Sequence, residues 1–128
     1  MRKIYSILIA IVLTGLQFNA WSQCNNCGSQ FPTTTQSTTS SSFTTVSTCM
    51  YGGEYAVFNV TSGQTYTWQT CGNTAFDTQL TLQQGTGCAG ADLAYNDDGC
   101  GTQSTITWTA TFTGNVSIWV SQYNCTSN

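Results

Sequence analysis

Residues 54–60, Glu-Tyr-Ala-Val-Phe-Asn-Val, begin a pattern in which apolar and polar side chains alternate with a period of two. Thr61-Ser62-Gly63-Gln64 interrupts it, and residues 65–70, Thr-Tyr-Thr-Trp-Gln-Thr, resume it. Such alternation between Gly-bearing turns predicts antiparallel strands, each with one dry face. The pattern returns over 78–83 and more briefly over 93–96, ahead of Asp97-Asp98-Gly99. The clearest predicted hairpin runs over 104–112, turns at Thr113-Gly114-Asn115 and returns over 116–122. In its first arm Ile106, Trp108, Ala110 and Phe112 share one face, and Thr105, Thr107, Thr109 and Thr111 share the other. β-branched Thr suits the pleat and tolerates water, so this arm reads as a half-exposed strand. No segment past the first two dozen residues shows a helical period, and the predicted fold class is an all-β sandwich.

The N-terminal pattern differs. Arg2 and Lys3 precede an apolar run over 4–16 that is too short to span a bilayer. With Ala20 and Ser22 as small residues before a cut at Gln23, residues 1–22 read as a Sec-type signal peptide. Residues 23–48 are Ser/Thr-rich and poor in large apolar side chains, a composition that buries too little to order itself firmly. They read as a lead-in, with one strand expected over 42–47 where Phe43 and Val46 dock. The domain proper is expected over 49–128.

Charge narrows the chemistry. The chain has two basic residues, and both lie in the signal, so the exported part carries none. Its charges are Glu54, Asp77, Asp92, Asp97 and Asp98. A purely acidic surface does not neutralise phosphates or anionic headgroups, so nucleic acid is excluded as a partner and no membrane insertion is expected after signal cleavage. With no His in the chain, imidazole bases and ligands are absent, and Lys and Arg chemistry goes with the signal. Glu54 and Asp77 are the one acid/base couple available to a glycosidase, and nothing in their spacing brings them together. The chain is expected not to be an enzyme.

Seven cysteines in an exported chain of this size read as disulfide staples. Cys88 and Cys100 bracket the strand at 93–96 and its acidic turn, and Cys49 and Cys71 flank the first strand pair. These are the expected pairs, although other pairings of the same staples fit the spacing equally. The odd count leaves one cysteine without an intrachain partner. Cys24-Asn25-Asn26-Cys27 has a redox-like spacing but no neighbouring cation to activate it.

Taken in order, Tyr51-Gly52-Gly53-Glu54-Tyr55, Gly63-Gln64-Thr65-Tyr66-Thr67, Thr70-Cys71-Gly72, Phe76-Asp77-Thr78-Gln79-Leu80-Thr81-Leu82, Leu93-Ala94-Tyr95-Asn96-Asp97-Asp98-Gly99-Cys100-Gly101 and Ile106-Thr107-Trp108 resemble the bacterial pre-peptidase C-terminal domain and its cysteine-containing relatives. The resemblance covers most of the exported chain. It implies a jelly-roll-like antiparallel β-sandwich borne by secreted peptidases and surface proteins, often in bacteria using type IX secretion. It further implies a non-catalytic accessory or adhesion role at the cell surface or outside it. Its partners would be an extracellular polysaccharide or protein, or adjoining domains of one polypeptide. The family continues to a further strand where this chain ends at Asn128, so the fold is expected to lack its last strand.

Two constellations suggest ligands. Asn96-Asp97-Asp98-Gly99, with Asp77 and Asp92, concentrates four of the five exported carboxylates, and hard oxygen donors of this kind select calcium. Asp77, Asp97, Asp98 and Asn96 are the candidate ligands. The alternative is a turn alone, because Asx side chains bond their own backbone and Gly accepts positive φ. Among the aromatics, Tyr51, Tyr95 and Tyr123 lie near loops and are the candidates for stacking on sugar rings. Trp108 is assigned to the core. A calcium-dependent carbohydrate-binding domain on a secreted hydrolase is thus the second functional reading.

Overall fold

A computed structural model describes residues 24, 26–37 and 41–126. The signal assigned to residues 1–22 lies outside these described residues. The chain forms seven strands: β1 (Gln36–Ser37), β2 (Tyr55–Val60), β3 (Thr65–Gln69), β4 (Thr78–Gln84), β5 (Asp92–Asn96), β6 (Thr105–Thr109) and β7 (Gly114–Gln122). A 3₁₀ turn at Tyr123–Cys125 follows. The strands divide into a five-stranded sheet, ordered β1-β2-β7-β4-β5, and a two-stranded sheet of β3 and β6. All pairings between them are antiparallel except that of β1 with β2. The result is a disulfide-stapled β-sandwich. No helix among the described residues is long and apolar enough to cross a membrane.

The core is the inner alternate set predicted from periodicity. Ala56, Phe58 and Val60 of β2, Leu80 and Leu82 of β4, and Val116, Ile118 and Val120 of β7 meet Trp68 of β3 and Ile106 of β6. Each fully buried aliphatic side chain contributes roughly 1.5–3 kcal/mol. Phe58 meets Trp68 edge-on at 5.6 Å. On the far face of the small sheet Thr65 bonds Thr109 (2.8 Å) and Thr67 bonds Thr107 (3.0 Å), as expected of a wet threonine ladder.

The pairing departs from the predicted hairpins. β6 and β7 do not pair with each other: β6 pairs with β3, and β7 inserts between β2 and β4. Likewise β2 and β3 belong to different sheets. Two crossings between sheets, at residues 61–64 and 110–113, lie side by side. Gly63 N–H donates to Ala110 O (2.7 Å) and Ala110 N–H to Gln64 O (2.8 Å). Alternation states which face of a strand is dry, but both sheets offer a dry face of the same kind. The choice of neighbour therefore depends on packing.

The outer face of the large sheet is also dry, against expectation. Val57, Gln79, Thr81, Gln83, Ser117, Trp119 and Ser121 are all buried there. The lead-in covers it: Cys24 Sγ lies 3.2 Å from Gln79 Oε1, Phe31 N–H donates to Tyr55 O and Gly28 N–H to Gly53 O. Ser117 Oγ donates to Gly87 O, so loop 85–91 lies over the same face. Cys24–Cys125 and Cys27–Cys88 staple this cover down. Covalent ties supply what the polar composition of the lead-in lacks. The strand expected over 42–47 does not form; Val46 packs on the core while Phe43 is 65% exposed.

The disulfide pairs also correct the spacing argument. Cys71 bonds Cys100, Cys88 bonds Cys27, and Cys49 is the free, exposed cysteine. The expected Cys49–Cys71 and Cys88–Cys100 bridges assumed that each staple would close a neighbouring loop. Because β2 and β3 separate into two sheets, Cys49 and Cys71 do not flank one hairpin. Three disulfides fit an oxidising, extracellular environment.

Candidate functional site

Asp77 immediately precedes β4, and Asp97 and Asp98 immediately follow β5. The two strands are antiparallel neighbours with Leu80 opposite Asn96, so the entry to one lies beside the exit from the other. A carboxylate oxygen from each of the three aspartates therefore falls within 4.8 Å of the others. The structure thus brings together three of the four candidate calcium ligands, Asp77, Asp97 and Asp98, and leaves out Asn96. Asp92 lies at the other end of β5, where it accepts from Gln83 Nε2 at 2.8 Å.

Asn96 is used for the turn. Its Oδ1 accepts the Thr105 N–H at 2.8 Å and closes the loop onto β6. At Gly99 a Cβ would stand 2.5 Å from Thr105 Cγ2 and 2.7 Å from Asn96 Oδ1, so only glycine fits. The turn reading of this motif and the convergence of its acids hold together.

No cation compensates the cluster, since the chain has no basic side chain beyond Lys3 and no His. Burial first, and then the charges of Asp97 and Asp98, hold the Asp77 carboxyl above the ordinary carboxylate value of 3.8. Asp97 Oδ2 accepts from Gln79 Nε2 at 3.3 Å, whereas Asp77 Oδ1 and Asp97 Oδ1 are buried without a partner. Burial, and then Asp97, raise the pKa of Tyr95, whose hydroxyl stays neutral and bonds the Asp97 carboxylate. Orphaned, desolvated carboxylate oxygens in a group of three are the donor set that a hard divalent cation takes.

The supporting residues were not evident in the sequence. Ser104 is fully buried at the start of β6, its Oγ 2.6 Å from Asp97 O and 2.5 Å from Thr78 O. Its N–H donates to Thr70 Oγ1 (3.0 Å) and Thr78 Oγ1 (3.1 Å), and those two hydroxyls are 2.6 Å apart. Four strand termini thus converge on one serine. The Cys71–Cys100 bridge and Gln103, whose Oε1 accepts the Gly72 N–H at 2.7 Å, brace the same end. A Ser among Thr and Gly carries no signal of this role, because its partners are backbone groups distant in sequence.

The other candidates separate. Glu54 precedes β2 and Asp77 precedes β4, with β7 between them; Glu54 Oε2 accepts the Tyr51 N–H at 2.8 Å. Tyr51 is 53% and Tyr123 49% exposed, while Tyr95 is half-buried against the acidic cluster. Tyr123 N–H donates to Asp77 O at 3.0 Å, which sets an exposed ring beside the site.

Residues 43–128 match the model of a family described as a domain of unknown function (DUF8695). No curated protein and no solved structure matches the chain.

Proposed function

We propose that this chain, which belongs to the DUF8695 family, is a non-catalytic accessory or adhesion module of an exported bacterial protein. On this reading calcium bound by Asp77, Asp97 and Asp98 locks the loop end of its sandwich. The observation that carries the calcium reading is the convergence of three carboxylates within 4.8 Å in a chain with no basic side chain past Lys3 to offset them. A cation there removes the mutual repulsion of the acids and ties the entry of β4 to the exit of β5. The accessory role is supported by the composition, which has no His and no Lys or Arg past residue 3 and so offers no imidazole, amine or guanidinium chemistry in the folded domain. The signal-like residues 1–22 and the three disulfides support export to the surface or the medium.

The test is melting of the exported chain with calcium and with chelator. A ligand that binds only the folded state adds about 2.7 kcal/mol at a hundredfold excess over its dissociation constant. Stabilisation by calcium that Asp97→Asn abolishes supports the reading, and identical melting in both conditions overturns the cation site. Hydrolysis of polysaccharide or peptide that disappears in Glu54→Ala or Asp77→Ala, with folding intact, overturns the non-catalytic role.

A second reading, calcium-dependent carbohydrate binding on a secreted hydrolase, is favoured by the exposed Tyr123 ring beside Asp77. Retention on insoluble glycans that calcium promotes and Tyr123→Ala removes distinguishes it.

A further inference from the structure

A cavity of about 910 Å³ lies between the sheets, and Thr70, Asn73 and Thr74, which flank Cys71, line one part of it. Every residue over 64–70 lines it. Side chains of a strand alternate between faces, so unbroken lining means that the edge of β3 borders the space. Ala56, Phe58, Ile118 and Val120 of the large sheet form its floor, and residues 41–48 form the opposite wall.

That edge is unpaired among the described residues. β3 pairs with β6 alone. Thr70 N–H donates to Ser104 O and Gln64 O accepts from Ala110 N–H, so the even-numbered residues direct their backbone groups at β6. By the alternation of an antiparallel ladder, Thr65, Thr67 and Gln69 direct theirs at the cavity. Three donors and three acceptors thus stand along about 16 Å of strand.

The other margins differ. β6 is the second edge of the small sheet, and its outward Thr105 N–H is already taken by Asn96 Oδ1 at 2.8 Å. β1 is two residues long, and β5 has a register shift in its pairing and an acid at its start. β3, reading Thr-Tyr-Thr-Trp-Gln, has no Pro, Lys or bulge, which are the usual guards of an edge.

We propose that the β3 edge is a strand-addition site that accepts an extended segment of a partner polypeptide. The segment carries apolar side chains at alternate positions and basic residues at its flanks. This rests on the reading of the chain as a binding module and names its partner class. The row of backbone groups at two-residue spacing selects a polypeptide over a lipid or a sugar, and the apolar floor takes every second side chain. No charged side chain lines the cavity, so charges of the partner lie outside it. The nearest acids are those of the cluster at the Thr70 end of β3, tied to it through Ser104, which bonds both Thr70 Oγ1 and Asp97 O, so the flanking charges of the partner are basic.

The probe is a peptide reading Lys-Val-Thr-Val-Thr-Val-Lys, titrated into the exported chain while Trp68 fluorescence and amide exchange are followed. Saturable binding with slowed exchange at Thr65, Thr67 and Gln69 is expected. N-methylation of the peptide on its pairing edge should weaken binding at least about tenfold, as should Thr67→Pro, which deletes an outward donor without touching the β6 ladder. The N-methyl peptide leaves the protein unaltered and decides the matter if the proline variant does not fold. Absence of saturable binding up to about 1 mM overturns the proposal. So does equal binding of the N-methylated peptide, or protection of the same amides by self-association without peptide, which would make a second copy the occupant. Retention on host-surface protein or glycan with no response to the peptide overturns this site and leaves the module reading standing.

Discussion

The disulfide between Cys71 and Cys100, with Cα atoms 6.0 Å apart, joins the loop leading to Asp77 with the turn that carries Asp97 and Asp98. It restrains both segments from which the three carboxylates converge. Replacing both cysteines with Ser opens a loop of 29 residues and is expected to cost about 3–4 kcal/mol in metal-free protein. Stabilisation by calcium should fall as well. Urea unfolding with and without calcium measures both, and a full calcium shift in the double variant would show that the bridge does not position the site.

The six paired cysteines leave Cys49 as the reactive thiol. Alkylation of the unreduced exported chain should add one group, at Cys49, and alkylation after reduction and unfolding should add seven. Mass spectrometry of the peptides identifies the sites. Label at Cys71 or Cys100 before reduction would contradict the staple that braces the acidic end.

Asp77 has its pKa raised by burial and then by Asp97 and Asp98. Between its ordinary value of 3.8 and that raised value, the folded chain holds more protons than the unfolded chain, so stability falls as pH rises through the window. In chelator, melting temperature should therefore decline from about pH 4 upward more steeply in the wild type than in Asp77→Asn. Calcium should reverse the decline, because it binds the deprotonated carboxylates. Parallel pH profiles for the two chelated proteins would show that Asp77 is not held in a repulsive group.

Ser104 is bonded to strand ends on every side, and truncating it strands buried backbone groups. Ser104→Ala should destabilise the chain by about 1–3 kcal/mol. Because its hydroxyl lies 2.6 Å from Asp97 O, the variant should also require more calcium for half-maximal stabilisation. Equilibrium unfolding gives the first quantity and a calcium titration of melting temperature the second. Unchanged calcium demand would confine Ser104 to the fold.

The residues of the acidic site were legible along the chain, and their geometry was not. Asn96-Asp97-Asp98-Gly99 is a turn in any context, because its side chains bond locally and Gly99 admits the close approach of Thr105. That Asp77, some twenty residues earlier, belongs with it follows only from the antiparallel register of β4 and β5. Ser104 carried no mark at all, since a hydroxyl acquires its meaning from the backbone groups brought to it.

By itself the sequence determined strands β2 to β7 and their dry inner faces, though not β1, because a two-residue period is a local property that burial of one face enforces. It likewise determined the oxidised, acidic character of the chain, which is composition. Tertiary structure decided which strands are neighbours: β2 and β3, and β6 and β7, part into different sheets although each pair is joined by a short turn. It decided the disulfide partners, which follow from those neighbours. It also decided that the Ser/Thr-rich lead-in lies over Trp119 and the polar outer face of β4 and β7. The reason is common to all three. Pairing partners, bridges and covers are contacts between residues distant in sequence, and such contacts are selected by packing the whole chain at once.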